Sequence, residues 1–203
     1  AMTLLIQAAN VRHAHGGNQI FEEISFEVKA GDRLALIGAN GAGKSTLFRI
    51  MAGVDRPDAG VVIHQRGLRV GFLTQESELE PDLTIHEAVA LAAGDPAALD
   101  EHLRALEMRM AEPLSDDGLT AVMDEYSDTL ARMEAGERGE RDGDADAVLE
   151  GLRIPRTRWD QPIGVLSGGE KKLVALARLL VERPDVLLLD EPDNHLDLAA
   201  KAW

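Results

Sequence analysis

Apolar and polar positions along the chain follow two different periods, and the change falls after Gln75. Before it, apolar residues alternate: residues 4–9 have strand character, and Phe21, Ile24, Phe26 and Val28 mark a half-buried face of a second strand over residues 20–28. Gly16-Gly17 supplies a turn between them. A short apolar run at residues 33–37 predicts a strand, and residues 45–51 continue as a helix. Residues 60–64 and 68–73 read as two more strands joined by Gln65-Arg66-Gly67, which together suggest a small antiparallel sheet beside an α/β core.

After Gln75 the period becomes helical. Thr84-Ile85-His86-Glu87 has the spacing of a capping box, in which the threonine oxygen and the glutamate carboxylate each satisfy the other's backbone N–H, and it predicts a helix over residues 85–93. Leu99, Leu103, Leu106 and Met110 then recur at steps of four, three and four. Leu119, Val122, Met123, Tyr126, Leu130 and Met133 follow a similar rhythm, with Pro113 and Gly118 bracketing the break. The pattern predicts an α-helical hairpin that buries one stripe against its twin, a packing role for Tyr126 and the methionines rather than a ligand role. Residues 136–146, rich in Gly and charge, should be the least ordered part. Beyond them come a short helix at 147–152, a longer one at 169–183 and a buried parallel strand at 186–189.

Composition narrows the functional classes. A chain of 203 residues with 45% apolar content can build one α/β domain with an insertion. With no cysteine there is no disulfide framework and no thiolate metal site, and the histidines show no ligand spacing along the sequence. No apolar run approaches the roughly 20 residues that cross a bilayer, so no membrane insertion and a cytoplasmic location are expected. The net charge of −15 is local: residues 76–150 hold 22 acids against five Arg and no Lys. Such a stretch repels a phosphate backbone, so direct DNA contact is not expected; it suits a solvated surface or a face for a basic partner.

Chemistry enters at Gly38-Ala39-Asn40-Gly41-Ala42-Gly43-Lys44-Ser45-Thr46, a complete G-x-x-x-x-G-K-[ST] phosphate loop between the predicted strand and helix. Its glycines let backbone N–H groups turn toward phosphates, with Lys44 reaching the β- and γ-phosphates and Ser45 holding Mg²⁺. Far along the chain, Leu166-Ser167-Gly168-Gly169-Glu170 opens a second helix whose start also suits phosphate. Val186-Leu187-Leu188-Leu189 then leads into Asp190-Glu191-Pro192, placing Asp190 where a buried strand ends and a metal ligand is expected. Glu191 is the better candidate for the general base that polarises the attacking water. Two phosphate-binding surfaces on one chain imply a second copy of the fold.

These motifs together resemble the ATP-binding cassette family, of α/β P-loop fold with a small antiparallel β subdomain and an inserted α-helical subdomain. The resemblance implies ATP and Mg²⁺ as cofactors and two cassettes facing head to tail. Ser167, Gly168 and Gly169 would then touch the γ-phosphate of a nucleotide held by the partner's phosphate loop, and Gln75 would sense Mg²⁺ and the attacking water. The family stacks adenine on an aromatic residue whose nearest counterpart is His15, a poorer platform. The stretch Asp190-Glu191-Pro192-Asp193-Asn194-His195-Leu196-Asp197 is similar to the D-E-P-T-N-H-L-D signature of the ABC-F subfamily, tandem-cassette proteins many of which act on the ribosome near tRNA, with Asp193 in place of threonine.

On that resemblance residues 1–75 form the nucleotide-binding core with its β subdomain, 76–165 the helical subdomain and acidic arm, and 166–203 the signature helix, catalytic strand and following loop. The family's γ-phosphate histidine and last core strands would lie beyond Trp203, so the chain resembles the N-terminal portion of a longer protein and is expected to hydrolyse ATP weakly or not at all by itself. The alternatives are the nucleotide-binding subunit of a membrane transporter and a cassette that uses ATP only as a structural clamp.

Overall fold

The computed structural model describes residues 2–15, 18–74, 79–137 and 144–190. The Gly16-Gly17 turn lies outside them. The described chain divides into two compact units, one from residues 1–76 and 184–190, the other from 77–183.

In the first unit, β1 (Leu4–His15) and β2 (Asn18–Lys29) pair antiparallel, longer than their apolar runs alone indicate. β3 (Ala59–His64) adds to the other side of β1, so the order is β2-β1-β3. Ile6 and Ala8 follow the strand period of two, but the next buried position is Val11. A register break between Ala8 and Val11, with Asn10 at φ 50°, inserts the extra residue and returns Val11 to the core face. Gly60 serves this bulge: at φ +81° an added Cβ would stand 2.2 Å from the Asn10 carbonyl oxygen, so only glycine lets the two backbones approach.

The remaining strands depart from the expected hairpin. β4 (Val70–Leu73) does not pair with β3 across Gln65-Arg66-Gly67; it pairs parallel with β5 (Val186–Leu189), Val70 opposite Val186 and Leu73 opposite Leu189. Turn chemistry favoured a hairpin, but apolar residues on both faces of β5 require a covered parallel neighbour. The helix α1 (Lys44–Met51) supplies the cover, with Leu47 and Met51 sharing a core with Val186, Leu188, Ile6 and Val28.

Residues 33–37 are a second departure. The run has no regular secondary structure and joins neither described sheet, and Leu34 and Ile37 are 67% and 91% exposed. Apolar patterning makes a segment eligible for a sheet, whereas a ladder of backbone hydrogen bonds makes it a strand, and among the described residues none pairs with this run.

The second unit is helical: α2 (Ile85–Ala92), α3 (Pro96–Met110), α4 (Asp116–Glu137), α5 (Ala145–Gly151) and α6 (Gly168–Val181). The capping box starts α2 as expected, with Glu87 N donating to Thr84 Oγ1 at 3.2 Å and Thr84 N to Glu87 Oε2 at 2.7 Å. Asp95 caps α3 by accepting from Ala97 N and Ala98 N, with Pro96 in the first turn, where a missing N–H costs nothing. Val89, Leu149, Trp159, Ile163, Val174 and Val181 form the core of α2, α5, α6 and the segment before α6.

The hairpin of α3 and α4 is present, and Leu99, Leu103 and Leu106 are buried on it. On α4, however, the buried positions are Val122 and Thr129, while Leu119, Met123 and Leu130 are exposed. The stripe is narrower than periodicity indicates because a helix in a two-helix arm has one neighbour and can cover only one seam. Of the segment expected to be least ordered, residues 138–143 lie outside the described set; only its edges are helical, since α4 runs to Glu137 and α5 starts at Ala145.

Candidate functional site

The phosphate loop is built by its glycines. Gly41 and Gly43 take φ +81° and +87°, a region closed to most side chains, and an added Cβ on Gly43 would lie 2.1 Å from Ile20 Cγ2. Gly43 is also the N-cap of α1, and no side chain caps that helix start. Among the described residues, backbone N–H groups at the first turn therefore meet no side-chain acceptor, while the helix dipole adds positive potential there, a combination that fits an anion. Lys44 Nζ donates to the carbonyl oxygens of Gly38 and Ala39, each at 2.9 Å, and Ala42 N donates to Ala39 O at 3.2 Å. The ammonium thus braces the entry of the loop with two of its three donors. Ser45 stands exposed in the first turn of α1 and Thr46 half-buried after it, and Asn40 and Ala42 are exposed in the loop.

Asp190 ends β5 and is 4% exposed; its backbone N–H donates to Leu73 O at 3.1 Å, extending the parallel ladder by one bond. The core shared by α1 and β5 packs the helix that begins at Lys44 against the strand that ends at Asp190. That common packing unites two motifs separated by more than a hundred residues. Glu191, Gln75 and the Asn194-His195-Leu196-Asp197 stretch lie outside the described residues, as does the ring of His15, whose backbone pairs with Asn18.

In the second unit, Ser167 is the N-cap of α6, exposed together with Gly168, with Gly169 half-buried. The turn carries a capping box that the motif reading did not foresee: Ser167 N and Ser167 Oγ donate to Glu170 Oε2 at 2.8 and 2.7 Å, and Glu170 N donates to Ser167 Oγ at 3.4 Å. Arg158 holds the other oxygen of Glu170 at 2.6 Å. These hydrogen bonds, from Ser167 first and Arg158 second, pull the Glu170 carboxyl down to about 2. The S-x-x-E spacing could have indicated the cap. Arg158 had no such signal, since it ends the short 3-10 turn Arg156–Arg158 after Pro155 and acts by tertiary placement.

Comparison with known proteins agrees with these motifs. The family model described as ABC transporter matches residues 21–194. The chain belongs to the ATP-binding cassette family. As such it is an ABC ATPase domain, whose family binds ATP, typically with Mg²⁺. Among curated proteins it is 42% identical over 185 residues to the energy-dependent translational throttle protein EttA of Haemophilus influenzae, covering 91% of this chain and 32% of that one. It is 39% identical over 184 residues to the tylosin resistance ATP-binding protein TlrC of Streptomyces fradiae, covering 91% and 34%. EttA of Mycobacterium tuberculosis is 35% identical, covering 95% and 34%. EttA is an ABC-F protein. The chain spans about a third of the length of these relatives.

Among solved structures, an inward-facing metal-chelate-type ABC transporter superposes with a TM-score of 0.64 at 24% identity, covering 98% of this chain and 64% of the other. The ATP-binding subunit of an ABC transporter gives 0.64 at 22% identity, covering 97% and 70%. These likenesses establish the fold. No helix among the described residues is long and apolar enough to cross a membrane.

Proposed function

We propose that this cassette binds and hydrolyses Mg-ATP at an interface with a second cassette, as the first cassette of an ABC-F-type translation factor that works on the ribosome. The observation that carries the reading is the 35–42% identity to EttA sequences over more than nine-tenths of the chain, the helical arm included. The Asn194-His195-Leu196-Asp197 continuation after Asp190-Glu191-Pro192 supports it.

Each residue has a role on this reading. The backbone from Gly38 to Thr46 and the Lys44 ammonium bind the phosphates, Ser45 and Asp190 hold Mg²⁺ with Gln75, and Glu191 accepts the proton of the attacking water. His15 faces adenine. Ser167, Gly168 and Gly169 close on the γ-phosphate of the nucleotide held by the other cassette, an exposed helix start suited to that task. Binding of the triphosphate favours the paired state; its hydrolysis removes the γ-phosphate that both cassettes grip and releases the pair.

The test is co-sedimentation of the full-length protein carrying Glu191→Gln with ribosomes in the presence of Mg-ATP. Retention with ribosomes that disappears with ADP is the expected result. A variant that stays in the supernatant under both conditions, while still binding ATP, overturns the ribosomal reading and leaves the transporter-subunit alternative.

A further inference from the structure

The helical unit contains a side-chain cluster that plays no part in nucleotide chemistry. Glu80 precedes α2, His102 lies on α3 and Glu125 on α4, and each offers one ligand atom within 4.8 Å of the others. They border a cavity of about 340 Å³ that Leu83, Leu99 and Thr129 also line. The three belong to segments far apart in sequence, and only the packing of the hairpin root brings them together. His102 is the most enclosed, its side chain 10% exposed, and its Nε2 stands 2.9 Å from Glu125 Oε1.

Charge and geometry favour a bound cation. Glu80 faces Glu125 in a partly desolvated site, and burial first, then the Glu125 charge, push its carboxyl above the ordinary range. Two facing carboxylates repel, and a divalent ion between them turns repulsion into attraction. Of the nearby arginines, Arg132 donates to the Ala92 carbonyl at 2.8 Å, while Arg109 approaches the second oxygen of Glu125 at 3.7 Å, leaving Oε1 toward the histidine, and with His102 and Arg178 offsets part of the carboxylate repulsion. Arg178 and Asp128 complete the charged lining with opposite signs.

We propose that Glu80, His102 and Glu125 form a binding site for a divalent transition-metal ion of the Zn²⁺ class, which ties the root of the α3–α4 hairpin to the segment entering α2. An imidazole nitrogen with two carboxylate oxygens suits zinc, whereas Mg²⁺ and Ca²⁺ take oxygen ligands. Tetrahedral ligand bonds of about 2.0–2.2 Å place donors roughly 3.3–3.6 Å apart, so the His102–Glu125 pair at 2.9 Å would open slightly and Glu80 would draw in, within reach of side-chain rotation in the long glutamates. Three protein ligands leave a fourth position for solvent. The ion replaces the His102–Glu125 hydrogen bond by two bonds to metal and makes the arm root rigid.

The test is titration of the metal-stripped full chain with ZnCl₂ by calorimetry, alongside Co²⁺ absorption spectra that report coordination geometry. One equivalent should bind, and the melting temperature should rise on zinc addition. Because even an outer-shell partner is worth about 10–100-fold in metal affinity, His102→Ala and Glu80→Gln should each weaken zinc by at least that order. His86→Gln, at a histidine paired with Asp146 elsewhere in the unit, should leave zinc binding unchanged. Should His102→Ala fail to fold, the exposed Glu80 position still gives the answer. No saturable zinc binding by the wild-type chain, or affinity undiminished in Glu80→Gln and His102→Ala, overturns the proposal.

Discussion

Arg158 Nη1 lies 2.6 Å from one oxygen of Glu170, while the other oxygen accepts from both the backbone N–H and the hydroxyl of Ser167. The second glycine-rich turn is therefore held from behind: its glutamate is the hub, and its serine and glycines face outward at the helix start. Glu170→Ala removes the cap and the ion pair together and should cost about 1 kcal/mol, the usual worth of a capping interaction. Arg158→Ala should cost less, since the pair is over a third exposed on both sides and solvent screens it.

The same hub sets a pH dependence. Folding lowers the Glu170 carboxyl from an ordinary 4.5 to about 2, so its stabilisation is fully present above pH 4.5 and is lost as pH falls toward 2. The melting-temperature gap between wild type and Glu170→Ala should hold steady at neutral pH and narrow across that window. Thermal unfolding monitored by circular dichroism at a series of pH values checks this; a gap unchanged at the acid end contradicts it.

Gly41 and Gly43 separate backbone strain from steric exclusion. Both have positive φ, but an added Cβ at Gly41 meets nothing within 4 Å while at Gly43 it strikes Ile20. Gly41→Ala should cost about 1–2 kcal/mol, the strain of a left-handed alanine. Gly43→Ala should cost more, because Ile20 or the loop must move as well. Urea denaturation of both variants measures the difference, and equal losses would show that contact with Ile20 is unimportant.

Lys44→Ala should weaken nucleotide binding by about 1.5–3 kcal/mol, the value of a charge-assisted hydrogen bond, with little change in stability because the Gly38 and Ala39 carbonyls it releases are exposed and can turn to water. Calorimetric titration with a non-hydrolysable ATP analogue reads the affinity. Unchanged affinity would remove Lys44 from the site.

The arm offers a contrast between apolar patterning and packing. Leu106 is fully buried and Leu130 is 40% exposed, although both fall on predicted stripes. Leu106→Ala should destabilise by about 2–5 kcal/mol, and Leu130→Ala should stay within about 0.5 kcal/mol. Chemical denaturation of the two variants decides whether α4 buries one seam or two.

Legibility followed the range of the forces involved. Thr84 and Glu87 are three residues apart, so their reciprocal cap was readable from spacing. Gly41 and Gly43 were readable because φ +81° and +87° belong to glycine wherever they occur. The β3–β4 hairpin was misread because Gln65-Arg66-Gly67 is a good turn, yet the partner of β4 stands 116 residues further on at Val186. Residues 33–37 were misread because apolar content cannot supply a neighbour. Arg158 was missed because a half-buried arginine in a short 3-10 turn looks the same in sequence whether or not a carboxylate faces it.

The residues alone determined the phosphate loop, the cap at Thr84, the helical period of the arm and the apolar approach to Asp190, since each depends on local sterics or on groups within one or two turns. Tertiary structure alone decided that β4 joins β5, that Val122 and Thr129 are the buried positions of α4 among the described residues, that Arg158 anchors Glu170, and that Glu80, His102 and Glu125 meet. Those outcomes depend on which distant surfaces come into contact, and burial and charge act on whatever is adjacent in space, not on what is adjacent in the chain.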